Sequence, residues 1–165
     1  MSMHRIAEGA IDPGELLRAV SAPEVGGTAT FFGTVRLQNA GRRVVAVEYQ
    51  AYRAMAERIL GEIGAEMRRD HGALRVALVH RIGRLEVGEI SVGIAAGAPH
   101  RREALASVAH AVERVKQALP VWKREIYADG SAWLEGAGAT LPERSGPEPP
   151  DAKKTGKPEL PRDPA

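Results

Sequence analysis

Apolar residues recur along this chain with two different periods. In residues 52–70, Met55, Ile59, Ile63 and Met67 return every four positions, which predicts an amphipathic helix with Gly72 placed to end it. In residues 99–119, Leu105, Val108, Val112, Val115 and Leu119 also follow helical spacing, and Pro120 cannot continue the helix. A shorter helix opens at Asp12-Pro13-Gly14-Glu15. There Asp serves as N-cap, Pro takes the first helical position and Glu lies in the first turn, with Leu16, Leu17 and Val20 on the apolar side.

The remaining apolar runs read as strands. Gly27–Arg36 and Arg43–Tyr49 are rich in β-branched and aromatic residues and are separated by turn material at Gln38-Asn39-Ala40-Gly41. Leu74–Ile82 alternates like a half-buried strand, and Gly83-Arg84 turns the chain. Leu85–Ala96 follows, with a bulge or bend expected at Gly88-Glu89. Two short strands, Trp122–Tyr127 and Ser131–Leu134, flank the hairpin signal Asp129-Gly130. Paired strands between helices predict an α+β fold with a mostly antiparallel sheet.

Composition sets the boundaries. Residues 136–165 hold seven of the eleven prolines and no aromatic residue, and their five acidic and five basic residues cancel. Such a segment buries too little apolar surface to offset its ordering entropy, so residues 1–135 are expected to form the domain and 136–165 a disordered tail. The net charge of +2 does not by itself point to nucleic acid. The absence of cysteine removes disulfides, thiolate metal sites and Cys nucleophiles from consideration. No apolar run reaches the roughly 20 residues that span a bilayer, and the N-terminus lacks an apolar h-region, so a cytoplasmic protein is expected.

Phosphate-binding Gly-rich loops, His-Glu-x-x-His and Gly-x-Ser-x-Gly do not occur. What remains is a set of basic residues at element ends. His100-Arg101 begins a helix, where free N–H groups and the positive helix end favour an anion, although solvated first-turn residues look the same. Lys116 borders the apolar stripe of that helix; it either snorkels to water or sits half-dry and titrates near neutrality. Lys123 follows beyond Pro120. Arg36 ends a strand, Glu125 is spaced to orient a neighbouring Lys or Arg, and His80 reads as a buried histidine.

Taken together, several motifs resemble the large, catalytic subunit of molybdopterin synthase. They are Phe31-Phe-Gly-Thr-Val-Arg36, Glu48-Tyr-Gln-Ala-Tyr52 with Met55-Ala56, His80-Arg-Ile-Gly83, Gly88-Glu-Ile-Ser-Val92, His100-Arg101, and Lys116-Gln-Ala-Leu-Pro-Val-Trp-Lys-Arg-Glu125 with Asp129-Gly130 and Trp133. The similarity runs from about residue 26 to 135. It implies an α/β-hammerhead-like α+β fold with an additional antiparallel β subdomain. It also implies a sulfurtransferase that converts cyclic pyranopterin monophosphate to molybdopterin. The sulfur would come from a small ubiquitin-like carrier subunit ending in a Gly-Gly thiocarboxylate, docked at each end of a homodimer, so that the whole is a heterotetramer. No metal or cofactor is implied.

By motif position, the resemblance makes Lys116 and Lys123 catalytic. Thr34, Val35, Arg36, His100, Arg101, Arg124 and Glu125 join them in substrate binding, with Phe31 packed nearby. Gln50 departs from the family's usual Tyr-Glu-Ala-Tyr, and Gly136-Ala137 stands where some members carry a basic residue that reaches the partner subunit's site. The alternative is a non-catalytic module that grips a polyanion or scaffolds a carrier. Seven aromatic residues in all give little support to a polyanion surface, and both lysines of the motif are present.

Overall fold

The computed structural model describes residues 2–128 and 130–134. The proline-rich segment 136–165 lies outside the described residues, as does Asp129. The elements are β1 (Ser2–Ala7), α1 (Pro13–Val20), β2 (Gly27–Thr34), β3 (Gln38–Asn39), β4 (Arg42–Ala51), α2 (Arg53–His71), β5 (Arg75–Arg81), β6 (Gly83–Glu86), β7 (Ile90–Ala98), α3 (Arg101–Ala118), β8 (Val121–Tyr127) and β9 (Gly130–Leu134). The fold is α+β, with two sheets dominated by antiparallel pairs.

The first sheet runs β1-β5-β7-β2. Its central strand β5 is buried on both faces, and strand alternation sends its side chains to two different cores. Val76 and Leu78 face α2 and α3, among Leu60, Ile63, Met67 and Ala104. Ala77 and Val79 face α1, against Leu16 and Val20. Fully burying a side chain such as Leu60 or Ile63 contributes about 1.5–3 kcal/mol. Helix α1 is capped as its sequence predicts, with the Asp12 carboxylate accepting from the N–H groups of Gly14 and Glu15. It lies so close to the sheet that a Cβ at Gly97 would stand 2.3 Å from the Val20 carbonyl oxygen.

The helices rotate relative to the predicted stripes. Met55 (42% exposed) lies outside the buried face of α2, which consists of Ala56, Ile59, Leu60, Ile63, Gly64 and Met67. A spacing of four overshoots the helical turn by about 40° per step, so a four-residue series drifts off one face over three steps. Leu105 is likewise 61% exposed, because α3 packs on Ala104, Ser107, Val108 and Ala111. Small residues are needed there: a Cβ at Gly27 of β2 would lie 2.9 Å from the Arg101 nitrogen.

Three strand features differ from expectation. β1 has no counterpart in the sequence reading. It pairs parallel with β5, Ser2 to Val76 through Ala7 to Arg81, and its six residues, half of them polar and without alternation, carry no strand signal. Gly83-Arg84, expected as a turn, begins β6, with Gly83 at φ 89°. Leu85–Ala96, expected as one strand region with a bulge or bend at Gly88-Glu89, is two strands: the chain turns there and crosses from one sheet to the other. β6 pairs with β4 of the second sheet, and β7 pairs with β2 and β5 of the first.

In the second sheet, β4 is flanked by β3 and β6 on one side and by β8, then β9, on the other. Val35, Val44, Val47, Leu85 and Tyr127 form its core. The β3–β4 hairpin turns through Ala40 (φ 48°) and Gly41 (φ 77°), the paired positive dihedrals of a primed turn.

Candidate active site

A cleft opens where the first sheet hands the chain to the second. β2 ends in a register shift at Gly33/Thr34, and beyond it the Val35 N–H donates to the Glu89 carbonyl while Gly88 N–H donates to that of Val35. This anchored segment delivers Thr34, Val35 and Arg36 to one wall. Gln38 and Asn39 of the hairpin, Val47 and Tyr49 of β4, and Lys123 and Glu125 of β8 supply the rest. Tyr49 stands opposite Lys123 and Val47 opposite Glu125 in the β4–β8 register, so alternation brings all four to the cleft face.

Glu125 is the hub. Its side chain is buried, and its two oxygens are divided. Lys123 Nζ donates to Oε1 at 3.0 Å, while Tyr127 Oη and Asn39 Nδ2 donate to Oε2 at 2.6 and 2.9 Å. Burial pushes the Glu125 carboxyl up, but the hydrogen bonds from Tyr127, Lys123 and Asn39 together outweigh it and hold the group below the ordinary carboxylate range. The same bond to Glu125, reinforced by burial, raises the Tyr127 phenol. The Arg42 guanidinium lies 3.7 Å above the Tyr127 ring.

His80, as the sequence suggests, is buried behind this wall. Its ring meets Tyr49 edge-on at 5.3 Å, and Nδ1 lies 2.9 Å from the Arg81 carbonyl oxygen, which makes Nδ1 the donor. Burial pushes the imidazole down to about 4, so it is neutral at physiological pH and serves as packing for Tyr49.

The other candidates lie elsewhere. Arg124 points to the opposite face of β8, where it pairs with Glu48, its cross-strand neighbour. Phe31 is 37% exposed on β2 and does not line the cleft. His100 and Arg101 stand exposed at the start of α3, beside Gly27 at the beginning of β2. Arg36 lies past the other end of that strand, so about 23 Å of β2 separates them. Lys116 is in the last turn of α3, solvent-exposed, with Glu113 at 3.7 Å. α3 reverses direction after β7 and therefore runs the same way as β2. Its last turn thus falls at the cleft end of the molecule, about 22 Å from Arg101 by helical rise.

The single chain thus gathers Thr34, Val35, Arg36, Lys123 and Glu125 in one cleft. Lys116 is at the same end of the molecule, and His100-Arg101 at the far end. Asn39, Tyr49 and Tyr127 belong to the cleft or its support and escape a reading based on charge alone. The spacing of Lys123, Glu125 and Tyr127 at i, i+2 and i+4 of a strand was the available signal for Tyr127. The cleft encloses about 60 Å³ of solvent-accessible space and is open to solvent on one side. Among the described residues no group of three or more His, Asp or Glu side chains is placed to hold a metal ion.

Residues 6–118 match the family model described as MoaE protein. The chain belongs to the MoaE family. A Bacillus subtilis (strain 168) relative, the molybdopterin synthase catalytic subunit, is 40% identical over 134 residues, covering 81% of this chain and 85% of its own. The crystal structure of molybdopterin synthase from Staphylococcus aureus superposes with a TM-score of 0.77 at 35% identity, over 81% of this chain and 98% of that one. A Helicobacter pylori structure holds subunits 1 and 2 of molybdopterin-converting factor in complex. It shares the fold with a TM-score of 0.67 at 22% identity, over 81% of this chain and 91% of that one. As a MoaE-family chain, this protein has enzyme subunits for relatives. Among its described residues no helix is long and apolar enough to cross a membrane.

Proposed function

We propose that this chain is a cytoplasmic molybdopterin synthase catalytic subunit. On this reading it moves sulfur from the C-terminal thiocarboxylate of a small ubiquitin-like carrier onto cyclic pyranopterin monophosphate. The observation that carries the reading is the Lys123–Glu125 pair, a lysine held on a buried carboxylate inside a cleft that also contains Arg36. Family membership and the names of the relatives agree with it.

The chemistry follows from the charges. The substrate is an anion, and guanidinium groups bind phosphate through paired donors without titrating. Thiocarboxylate sulfur is already nucleophilic, so the protein needs no cysteine of its own. When sulfur leaves the carrier's terminal acyl group, water supplies the oxygen that turns that group into a carboxylate. Lys123 is placed to stabilise the anions on either side of this exchange, and Glu125 fixes where its Nζ stands.

The site is divided between two copies of the chain. One phosphate cannot touch Arg36 and Arg101 of the same molecule across about 23 Å. Lys116 is also solvated in the single chain. A two-fold dimer brings the start of one α3 to the cleft of the other, and by symmetry forms two equal composite sites. The carrier's extended tail then enters beside Lys116 and Lys123. The segment 136–165 is dispensable in this scheme on compositional grounds. The test is product formation with thiocarboxylated carrier: Arg36→Ala, Arg101→Ala and Lys123→Ala should each abolish or cripple turnover while the chain stays folded. Parental turnover in Lys123→Ala would remove the lysine from the mechanism.

A further inference from the structure

We infer that Asn39 and Tyr127 are positioning residues for Lys123, acting through Glu125: together they occupy Oε2 and leave Oε1 to the lysine. The inference rests on the functional reading of Lys123 above, but the geometry stands without it. A carboxylate offers about four lone-pair sites on two equivalent oxygens, so a lysine facing a free carboxylate can wander between them. Here the choice is removed. The two neutral donors reach Oε2 from different elements, Tyr127 from β8 itself and Asn39 from the β3–β4 hairpin. Lys123 is left with one acceptor at 3.0 Å and one direction into the cleft.

Each supporting donor is itself held. Asn39 pairs with Arg42 at the neck of a turn whose two central residues have positive φ, so the hairpin backbone fixes the position from which its side chain reaches Oε2. The Tyr127 ring is covered by Arg42, whose charge over the π face makes the phenol a better donor. The titratable and charged groups facing Glu125 are therefore Lys123 and Tyr127 on its own strand, Arg42 and Tyr49 from β4, and Arg36 from the segment after β2. Because the hydrogen bonds from Tyr127 and Asn39 favour the ionised carboxyl, losing either one raises the pH at which Glu125 takes a proton and releases Lys123.

The test reads Lys123 directly. The full chain has five lysines, few enough for their side-chain methylenes to be resolved by NMR with labelled lysine, and Lys123→Arg assigns the signal. In the parent the Lys123 signal should step once, below the ordinary carboxylate range, as Glu125 protonates. Tyr127→Phe and Asn39→Ala should each move the step to higher pH, and Asn39→Asp, which sets a like charge beside Oε2, should move it further. With thiocarboxylated carrier, Tyr127→Phe and Asn39→Ala should lower kcat on the order of tenfold to a hundredfold, the usual cost of a misplaced catalytic group, with carrier affinity unchanged. A parent without the step, or variants whose step stays at the parental pH, would overturn the inference, since a purely structural role lowers stability without moving it. If Lys123→Ala turns over normally, the reading of the lysine fails, and the NMR titration still decides whether Asn39 and Tyr127 position it.

Discussion

Acidification should weaken this protein partly through one carboxylate, Glu66. It lies between α2 and α3 with 20% of its side chain exposed, and it accepts from Arg114 Nε at 2.9 Å, Arg114 Nη2 at 3.2 Å and His110 Nε2 at 2.8 Å. The Arg114 hydrogen bonds, followed by that of His110, lower the group from an ordinary 4.5 to about 2. A folded pKa below the unfolded one means stability that is present above about 4.5 and lost as the pH falls through 4.5 towards 2. Two and a half pH units correspond to roughly 3 kcal/mol, and screening at a partly solvated site reduces this to about 1–2 kcal/mol. The assay is urea unfolding of parent and Glu66→Gln at a series of pH values between 7 and 2.5. Glu66→Gln should cost about 1–2 kcal/mol at pH 7, and the two curves should converge towards pH 2.5. A constant gap between them would refute the argument, because the loss would then come from packing and not from charge.

Gly97→Ala should destabilise the protein by about 1–3 kcal/mol or more in thermal melts, since its methyl would press on the Val20 carbonyl oxygen 2.3 Å away. Leu60→Ala should cost about 2–5 kcal/mol through the cavity it leaves, whereas Leu105→Ala, on an exposed position of the neighbouring helix, should stay within about 0.5 kcal/mol. Lys116→Arg should still bind the carrier but lose sulfur transfer if the lysine exchanges a proton, and parental turnover would leave it an electrostatic anchor. Removing residues 136–165 should change neither the unfolding midpoint nor product formation.

Local signals carried much of the fold. The Asp12 cap, the Gly72 stop with φ 74° and the Pro120 break stand where a reader of the sequence would put them, because each is fixed by neighbours within a few residues. What resisted depends on partners distant in the chain. β1 is a strand because β5 offers it an edge, and no pattern in Ser2–Ala7 says so. Met55 and Leu105 belong to the apolar series yet face solvent, since the face of each helix that packs on the sheet is centred on other positions. At the site, motif order grouped His100, Arg101, Arg124 and the lysines with Arg36, but only the topology shows that β2 separates the first two from the cleft and that strand alternation turns Arg124 away. Tyr127 and Asn39 carry no charge, so a search for cations passes over them, although they shape the carboxylate that holds Lys123.

Whether two chains complete one site is tested by mixing two inactive ones. Arg101→Ala and Lys123→Ala chains, differently tagged and refolded together, assort into dimers of which half are mixed. In each mixed dimer one site collects both lesions and the other has none. Activity should therefore return to about a quarter of the parental value, although each variant alone is inactive. A mixture that remains as inactive as its components would show that Arg101 and Lys123 serve the same site from the same chain, and would contradict the account.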